Sequence, residues 1–261
     1  MADRAARWRE RFGLLRSLWL YGRPGRQRAL RRLYRPLVAA GDTVFDVGAH
    51  VGDRTRAFAG LGARVVALEP HPDLADRLRR RFGPIAGVEI VEAALGAEPG
   101  RATLHISSAT PTVSTLDAGW MRRVRERNPG FADVQWDRPV DVPVTTLEAL
   151  IERYGEPAFV KIDVEGHEAA VLAGLARPLR ALSVEFVAGA LDAADACVRR
   201  LDELGTYAFN AVAGERRRFL WPDWRPSAET REWLAAGADG LPSGDLYARR
   251  VDRRAGDRGP I

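Results

Sequence analysis

The sequence predicts a doubly wound α/β fold built on a mostly parallel sheet. From residue 41 onward, short apolar runs alternate with segments of helical period. That alternation marks parallel strands covered by helices on both faces. A glycine-containing turn, Gly48 to Gly52, follows the first run and feeds a helix, and an acidic residue, Glu69, ends the second run. Ligands of such folds bind at the carboxyl ends of the strands.

In chain order, Trp8, Phe12, Leu15 and Trp19 fall at spacings of four, three and four, with Arg4, Arg9, Arg11 and Arg16 mostly off their line. This is one stripe of an amphipathic helix. Gly22, Pro24 and Gly25 break it, and a second basic helix spans residues 26–34, closed by Pro36. Strands are expected over residues 43–47, 64–68, 88–91, 158–162 and 182–186, because each is a short apolar run bounded by turn residues. Helices are expected over residues 55–59, 72–82, 147–154, 167–175 and 193–204, where the apolar period lengthens. Residues 107–142 break the pattern with Trp120, Trp136, Pro129, Pro139 and the cluster Arg122, Arg123, Arg125 and Arg127. A stretch of that length inside a compact domain is read as a substrate or lid insertion. The expected organisation is a helical extension over residues 1–36 and one α/β domain over residues 37–261.

Composition narrows the function classes. No apolar run approaches the roughly 20 residues of a bilayer span, and 46% hydrophobic residues can build a core. The single cysteine, Cys197, excludes an internal disulfide framework and multi-cysteine metal sites, and points to a reducing, cytoplasmic setting. Arg16 interrupts the first apolar stretch and no small-residue cleavage site follows, which speaks against a secretory signal. The net charge of +5 divides into +9 over residues 1–36 and −4 over the rest. Basicity therefore belongs to the N-terminal segment. Its arginine-rimmed stripe suits packing against the domain or contact with an anionic membrane surface.

The strand-to-helix turn reads GDTVFDVGAHVGD over residues 41–53. A dinucleotide fingerprint requires glycine at the positions of Gly48, His50 and Asp53, and only the first is glycine. Asp46 and Asp53 place negative charge where a pyrophosphate would sit, so the loop favours a ligand carrying positive charge. Glu69 lies twenty-one residues beyond Gly48, where a carboxylate accepts hydrogen bonds from ribose hydroxyls. The sulfonium and ammonium of S-adenosylmethionine fit the acidic loop, and its ribose fits Glu69.

These residues resemble the FkbM-type S-adenosylmethionine-dependent methyltransferases. The resemblance runs through TVFDVGAHVGD, ALEPHPDL and VEAALGAEPGRATLHI, is most specific at FVKIDVEGHEAAVLAG, and continues through LSVEF and SGDLYAR, covering about residues 40–250. It implies a class I methyltransferase fold with a seven-stranded sheet and an antiparallel final strand. It also implies methylation of hydroxyl oxygens on natural products or glycans. Carried over by position, Asp46, Gly48, Ala49, His50 and Gly52 look like the cofactor loop, Glu69 and Pro70 the ribose end, and Glu92, Ala93, Ala94 and Leu95 the adenine edge. His50 departs from the asparagine common in the family.

The segment from Lys161 to Glu168 joins a strand end to a helix start. Strand alternation sends Lys161 and Asp163 to one side, and Gly166 permits the turn. Asp163, Glu165, His167 and Glu168 are thus expected on the rim of the cofactor site. Methyl transfer to an alcohol needs an aligned acceptor and a base for its proton. His167 has the ordinary pKa nearest neutrality, whereas Asp163 or Glu165 needs a raised proton affinity or a metal partner. Glu168 also suits the first turn of a helix, and Glu185 is a further strand-end carboxylate. The spacing decides neither for nor against a divalent metal.

Three rival functions are weaker. A nucleic-acid methyltransferase would draw on the basic N-terminus and the arginine cluster, but Asp163-Val164-Glu165-Gly166 stands where base-amino methylases carry Asn-Pro-Pro-aromatic, and carboxylates repel phosphate. A nicotinamide oxidoreductase is disfavoured by His50 and Asp53. A non-catalytic binding protein is disfavoured by the intact loop and carboxylate cluster.

Overall fold

The computed structural model describes residues 25–251, so the Trp8 to Trp19 stripe lies outside the described residues. Five apolar runs form parallel strands because both of their faces are covered: β1 (Thr43–Val47), β2 (Arg64–Leu68), β3 (Val88–Val91), β7 (Phe159–Ile162) and β8 (Ala181–Val187). β11 (Ser243–Arg250) runs antiparallel to β8 and to β9 (Tyr207–Ala213), and a two-residue strand, β10 (Arg225–Pro226), caps the edge. The spatial order is β10-β9-β11-β8-β7-β1-β2-β3. The sheet therefore has eight strands where seven are expected; β10 is the addition, pairing through Arg225 and Pro226 alone.

A second, three-stranded sheet sits apart, in the order β4 (Ala94–Leu95), β6 (Arg138–Thr145), β5 (Gly100–Ile106). Residues 138–142, expected within the insertion, belong to β6 and pair with β5.

Side-chain alternation along the strands builds two apolar layers. On one face Phe45, Val47, Leu68, Ile162 and Leu182 pack with α5 (Leu147–Tyr154), α6 (Glu168–Ala173), α7 (Leu191–Leu204) and α8 (Ser227–Ala235). On the other, Val44, Val65, Phe159 and Tyr247 pack with α1 (Arg26–Tyr34), α2 (Asp53–Ala59) and α3 (Pro72–Phe82). α1 is amphipathic: Leu30, Leu33 and Tyr34 enter this core, with the Tyr34 ring 4.5 Å from that of Phe58. The described part of the basic extension is thus an integral element of the domain.

Two features position the site. The chain adds β2 and β3 on one side of β1 and β7 on the other, which opens a crevice at the carboxyl ends of β1 and β7. The register sets Asp46 beside Lys161 and Val47 beside Ile162, so the loops leaving both strands start level. In addition, Arg26 fixes the start of α2. Its Nε pairs with Asp53 Oδ2 while its Nη2 lies 2.9 Å from Glu215 Oε2, and Gln27 Nε2 donates to Asp53 Oδ1 at 2.6 Å. Among the described residues no helix is long and apolar enough to cross a membrane.

Breaking a buried ion pair leaves the survivor desolvated and uncompensated. Arg26→Met is expected to cost about 3 kcal/mol in urea unfolding, the low end for such pairs because Gln27 still holds Asp53. Arg26→Met combined with Asp53→Leu should recover most of that loss. A cost below about 1 kcal/mol for the single variant would show that α1 docks through its apolar face alone.

Candidate active site

The glycines of the β1 loop answer to protein neighbours. Gly48 has φ 77°, and a Cβ there would lie 1.8 Å from the Asp163 carbonyl oxygen. The missing side chain lets the β1 and β7 loops touch. Gly52 has φ 80°, and its Cβ would fall 2.2 Å from the Phe82 ring, so it serves the packing of α3. His50, at φ 49°, adopts a left-handed conformation without being glycine. Its N–H donates to Glu69 Oε2 at 2.7 Å, while the His71 N–H donates to Glu69 Oε1 at 2.9 Å. One buried carboxylate thereby joins the loops after β1 and β2. Burial pushes the Glu69 carboxyl up from its ordinary range, and the backbone bond from His71 offsets part of this. Asp46 accepts from Thr55 Oγ1 at 2.5 Å, and burial pushes its carboxyl up as well. Burial lowers the His50 imidazole to about 4, keeping it neutral.

Lys161, the only lysine in the chain, is 1% exposed. Its Nζ lies 2.6 Å from Asp163 Oδ2 and 3.5 Å from Asp245 Oδ1. Arg54 Nη2 approaches Asp245 Oδ2 at 3.6 Å. Burial opposes the Lys161 charge, but Asp163 and Asp245 override it and hold the ammonium above its ordinary pKa. For Asp163, burial favours the proton, while Lys161 and Arg54 outweigh it and keep the carboxyl below its usual range.

Beyond β7 the chain turns sharply at Glu165, φ 54°, and Gly166, φ 93°. A Cβ on Gly166 would fall 2.2 Å from the Trp120 ring. Trp120 is buried on α4 (Ala118–Arg127), between Phe131 and Trp136. Thr115 Oγ1 donates to the Glu165 carbonyl at 2.6 Å, and Glu168 Oε1 accepts from the N–H groups of Val164 and Gly166 at 3.0 and 3.3 Å. The insertion thus braces the turn from outside and Glu168 braces it from inside.

A cleft of about 180 Å³ opens over these loops. The β1 and β2 loops contribute Asp46, Gly48, Ala49, His50, Glu69 and Pro70, with Ala93, Ala94 and Leu95 beside them. Asp163, Glu165 and His167 follow β7, while Thr112, Ser114 and Thr115 come from the insertion and Glu185 and Asp245 from β8 and β11. Burial pulls the His167 imidazole down, partly offset by Asp117. Ligand oxygens of Asp163, Glu165 and Glu185 lie within 4.8 Å of one another. Three carboxylates at that spacing have the chemistry to receive a small hard cation, although the Lys161 ammonium already holds one Asp163 oxygen.

The model of the Methyltransferase FkbM domain matches residues 46–221. The chain belongs to the FkbM methyltransferase family. It is 27% identical to the 2-O-methyltransferase NoeI of Sinorhizobium fredii over 136 residues, 50% of this chain and 56% of that protein. It is 30% identical to the hexuronic acid methyltransferase AglP of Haloferax volcanii over 148 residues, 56% of this chain and 54% of the relative. The chain spans about half the length of the curated relatives it matches. Among solved structures, a TehB-like SAM-dependent methyltransferase from Corynebacterium glutamicum aligns over 96% of this chain and 97% of its own, at 13% identity and a TM-score of 0.47.

Within this FkbM fold most residues singled out from the sequence converge on the cleft, and three do not. Gly52 faces Phe82. Glu92 pairs with Arg79 on α3, 2.7 Å away, and does not line the cleft. Glu168 is 2% exposed and spends its carboxylate on the turn. Asp53 contributes less negative charge than the sequence suggests, since Arg26 neutralises it. Two arginines of the insertion's cluster are engaged elsewhere: Arg123 pairs with Asp117 at 3.2 Å and Arg125 sits 5.3 Å over the Trp136 ring. Arg54 and Asp245 escaped sequence reasoning, for their pairing joins chain positions with no local pattern in common.

Burial raises the Glu168 carboxyl from 4.5 to about 7, against the pull of its backbone donors. Between those values the folded state binds a proton that the unfolded chain has released, so stability falls as pH rises from 4.5 to about 7 and levels off above. Glu168→Gln retains an acceptor for both N–H groups and should flatten this slope, on the order of 3 kcal/mol in total. Urea unfolding at several pH values across that window checks it; parallel slopes in the two proteins would contradict it.

Proposed function

We propose that this family member is an S-adenosylmethionine-dependent O-methyltransferase acting on a hydroxyl group of a sugar or glycan. The observation that carries the reading is one cleft at the switch point of the sheet. It joins an acidic β1 loop, a buried carboxylate at the end of β2 and the carboxylate-bearing turn after β7. The donor set fits the cofactor. Each Glu69 oxygen accepts one backbone N–H and keeps acceptor capacity for ribose hydroxyls. Ala93, Ala94 and Leu95 offer an apolar wall for adenine, and Asp46 and Asp163 suit a cationic amino acid end. When bound, the cofactor supplies an electrophilic methyl group on a sulfonium.

The chain's own residues then orient the acceptor and exclude misaligned approaches. Thr112, Ser114 and Thr115 bring hydroxyls, while Asp163, Glu165 and Glu185 bring acceptors for the hydrogens of a polyhydroxylated ligand. Lys161 keeps Asp163 ionised and its loop fixed, which serves alignment, the larger part of such a displacement. Carboxylates outnumber the cations Arg54 and Lys161 along the cleft, which favours a neutral acceptor over an anionic one. That excess also disfavours a nucleic acid. The 2-O-methyltransferase relative supports an oxygen acceptor, and the hexuronic acid methyltransferase relative supports a sugar as its class.

Isothermal titration should give one-to-one binding of S-adenosylmethionine and S-adenosylhomocysteine, weakened at least about tenfold by Glu69→Ala through lost hydrogen bonds to ribose. Methyl transfer from labelled cofactor should then favour neutral methyl glycosides over methyl glucuronoside. Absence of binding to both cofactor forms would remove the reading, and unchanged affinity in the variant would remove Glu69 from the site.

A further inference from the structure

Building on the methyltransferase reading, we infer that Arg54 recognises the carboxylate at the amino acid end of S-adenosylmethionine and makes the site select the intact cofactor over forms lacking that group. The amino acid end is a zwitterion. Asp46 and Asp163 suit its ammonium, but its carboxylate enters a cleft lined mainly by acidic side chains and is repelled unless a cation receives it.

Among the described residues one arginine and one lysine line the cleft, Arg54 and Lys161. Lys161 is already committed. Its Nζ lies 2.6 Å from Asp163 Oδ2 and 3.5 Å from Asp245 Oδ1, and its side chain is 1% exposed. Arg54 differs on each count. Its side chain is 17% exposed, and its ion pair from Nη2 to Asp245 Oδ2 spans 3.6 Å, too long for a hydrogen bond. Among the described residues its guanidinium makes no hydrogen bond, and its Nε is buried without a partner. A guanidinium carries five N–H donors in a fixed fork, and leaving charged donors unsatisfied away from water is costly. A carboxylate answers both the charge and the fork.

The position of Arg54 along the sheet agrees. The strand order runs β11-β8-β7-β1-β2-β3. Ala93, Ala94 and Leu95, the apolar wall for adenine, follow β3, and Glu69, which faces the ribose, follows β2. Asp46 and Asp163 come next, on β1 and just beyond β7. Arg54 stands in the first turn of α2 and approaches Asp245 on β11, on the side of β1 away from the adenine wall. The cofactor has the same linear order of adenine, ribose, sulfonium and amino acid. Laid along the cleft with its base at Ala93, it brings its carboxylate toward Arg54. Thr55, the next residue, donates to Asp46 at 2.5 Å and so fixes the backbone that carries Arg54 against β1.

Isothermal titration of the full chain with S-adenosylmethionine and with decarboxylated S-adenosylmethionine, in which hydrogen replaces the carboxylate, tests the assignment. A pH of about 8 lies well above the ordinary imidazole pKa, so His50 and His167 add no charge to the comparison. The wild type should prefer the intact cofactor by at least about tenfold, the worth of a charge-assisted pair. In Arg54→Gln that preference should vanish or reverse, since the acidic cleft then favours the more cationic, decarboxylated form. Arg54→Lys, which keeps the charge but loses the fork, should show an intermediate preference, and it carries the test if the glutamine variant fails to fold. A merely structural role would weaken both ligands together and leave their ratio untouched. No preference in the wild type, or a wild-type ratio in Arg54→Gln or Arg54→Lys, overturns the inference. Wild-type protein that binds neither form removes the methyltransferase reading, whereas intact binding with an unaltered ratio in the variants removes only the role of Arg54.

Discussion

Lys161 places one ammonium among carboxylates that the chain gathers from distant elements, and the geometry of the cleft follows from that placement. Burying the charge is costly unless several partners repay it. Asp163, two residues on, and Asp245, from the antiparallel strand β11, do so from different directions. The ammonium therefore fixes the β7 loop relative to β11, while Arg54 extends the same network to the start of α2. With Asp163 held, its carbonyl meets Gly48 at a separation that tolerates no side chain, and the β1 loop takes its course from that contact. Ligand-facing groups are thus arranged by an ammonium that the ligand itself never needs to touch.

The same logic applies to α1. The FkbM match begins at residue 46, yet the physical domain begins earlier. Leu30, Leu33 and Tyr34 complete one of the two apolar layers, and Arg26 neutralises Asp53 at the first turn of α2 while reaching Glu215. Without that cation the cleft would carry another uncompensated carboxylate beside Asp46. A basic helix before the catalytic fold has, in its described part, a structural task in the electrostatics of the site.

Legibility varied with how local the determining force is. The five parallel strands stood out because burial on both faces demands continuous apolar runs. β5 and β6 did not, since each is half exposed and β6 carries Pro139 and Pro143 in a pattern that reads as a loop. β9 and β11 mix alanine, asparagine and charged residues and pair with each other, β11 pairing also with β8. In the site, Asp46, Glu69 and Asp163 were readable as strand-end carboxylates. Glu168 stands in the first helical turn that its position suggests, but its burial under the turn is not local information, and Glu92 pairs with Arg79 while neighbouring Ala93 and Ala94 line the cleft.

By itself the sequence determined the fold class, the acidic character of the β1 loop and the carboxylate-rich turn after β7, which rest on periodicity and short spacings, and the family resemblance, which rests on matching motifs. Only the tertiary structure decided which carboxylates carry a counter-charge. The pairings Lys161 with Asp245, Arg54 with Asp245 and Arg26 with Asp53 join residues from different elements. Whether a carboxylate is held ionised, shielded or left to gain a proton depends on distance and burial in three dimensions, quantities that residue order along the chain does not encode locally.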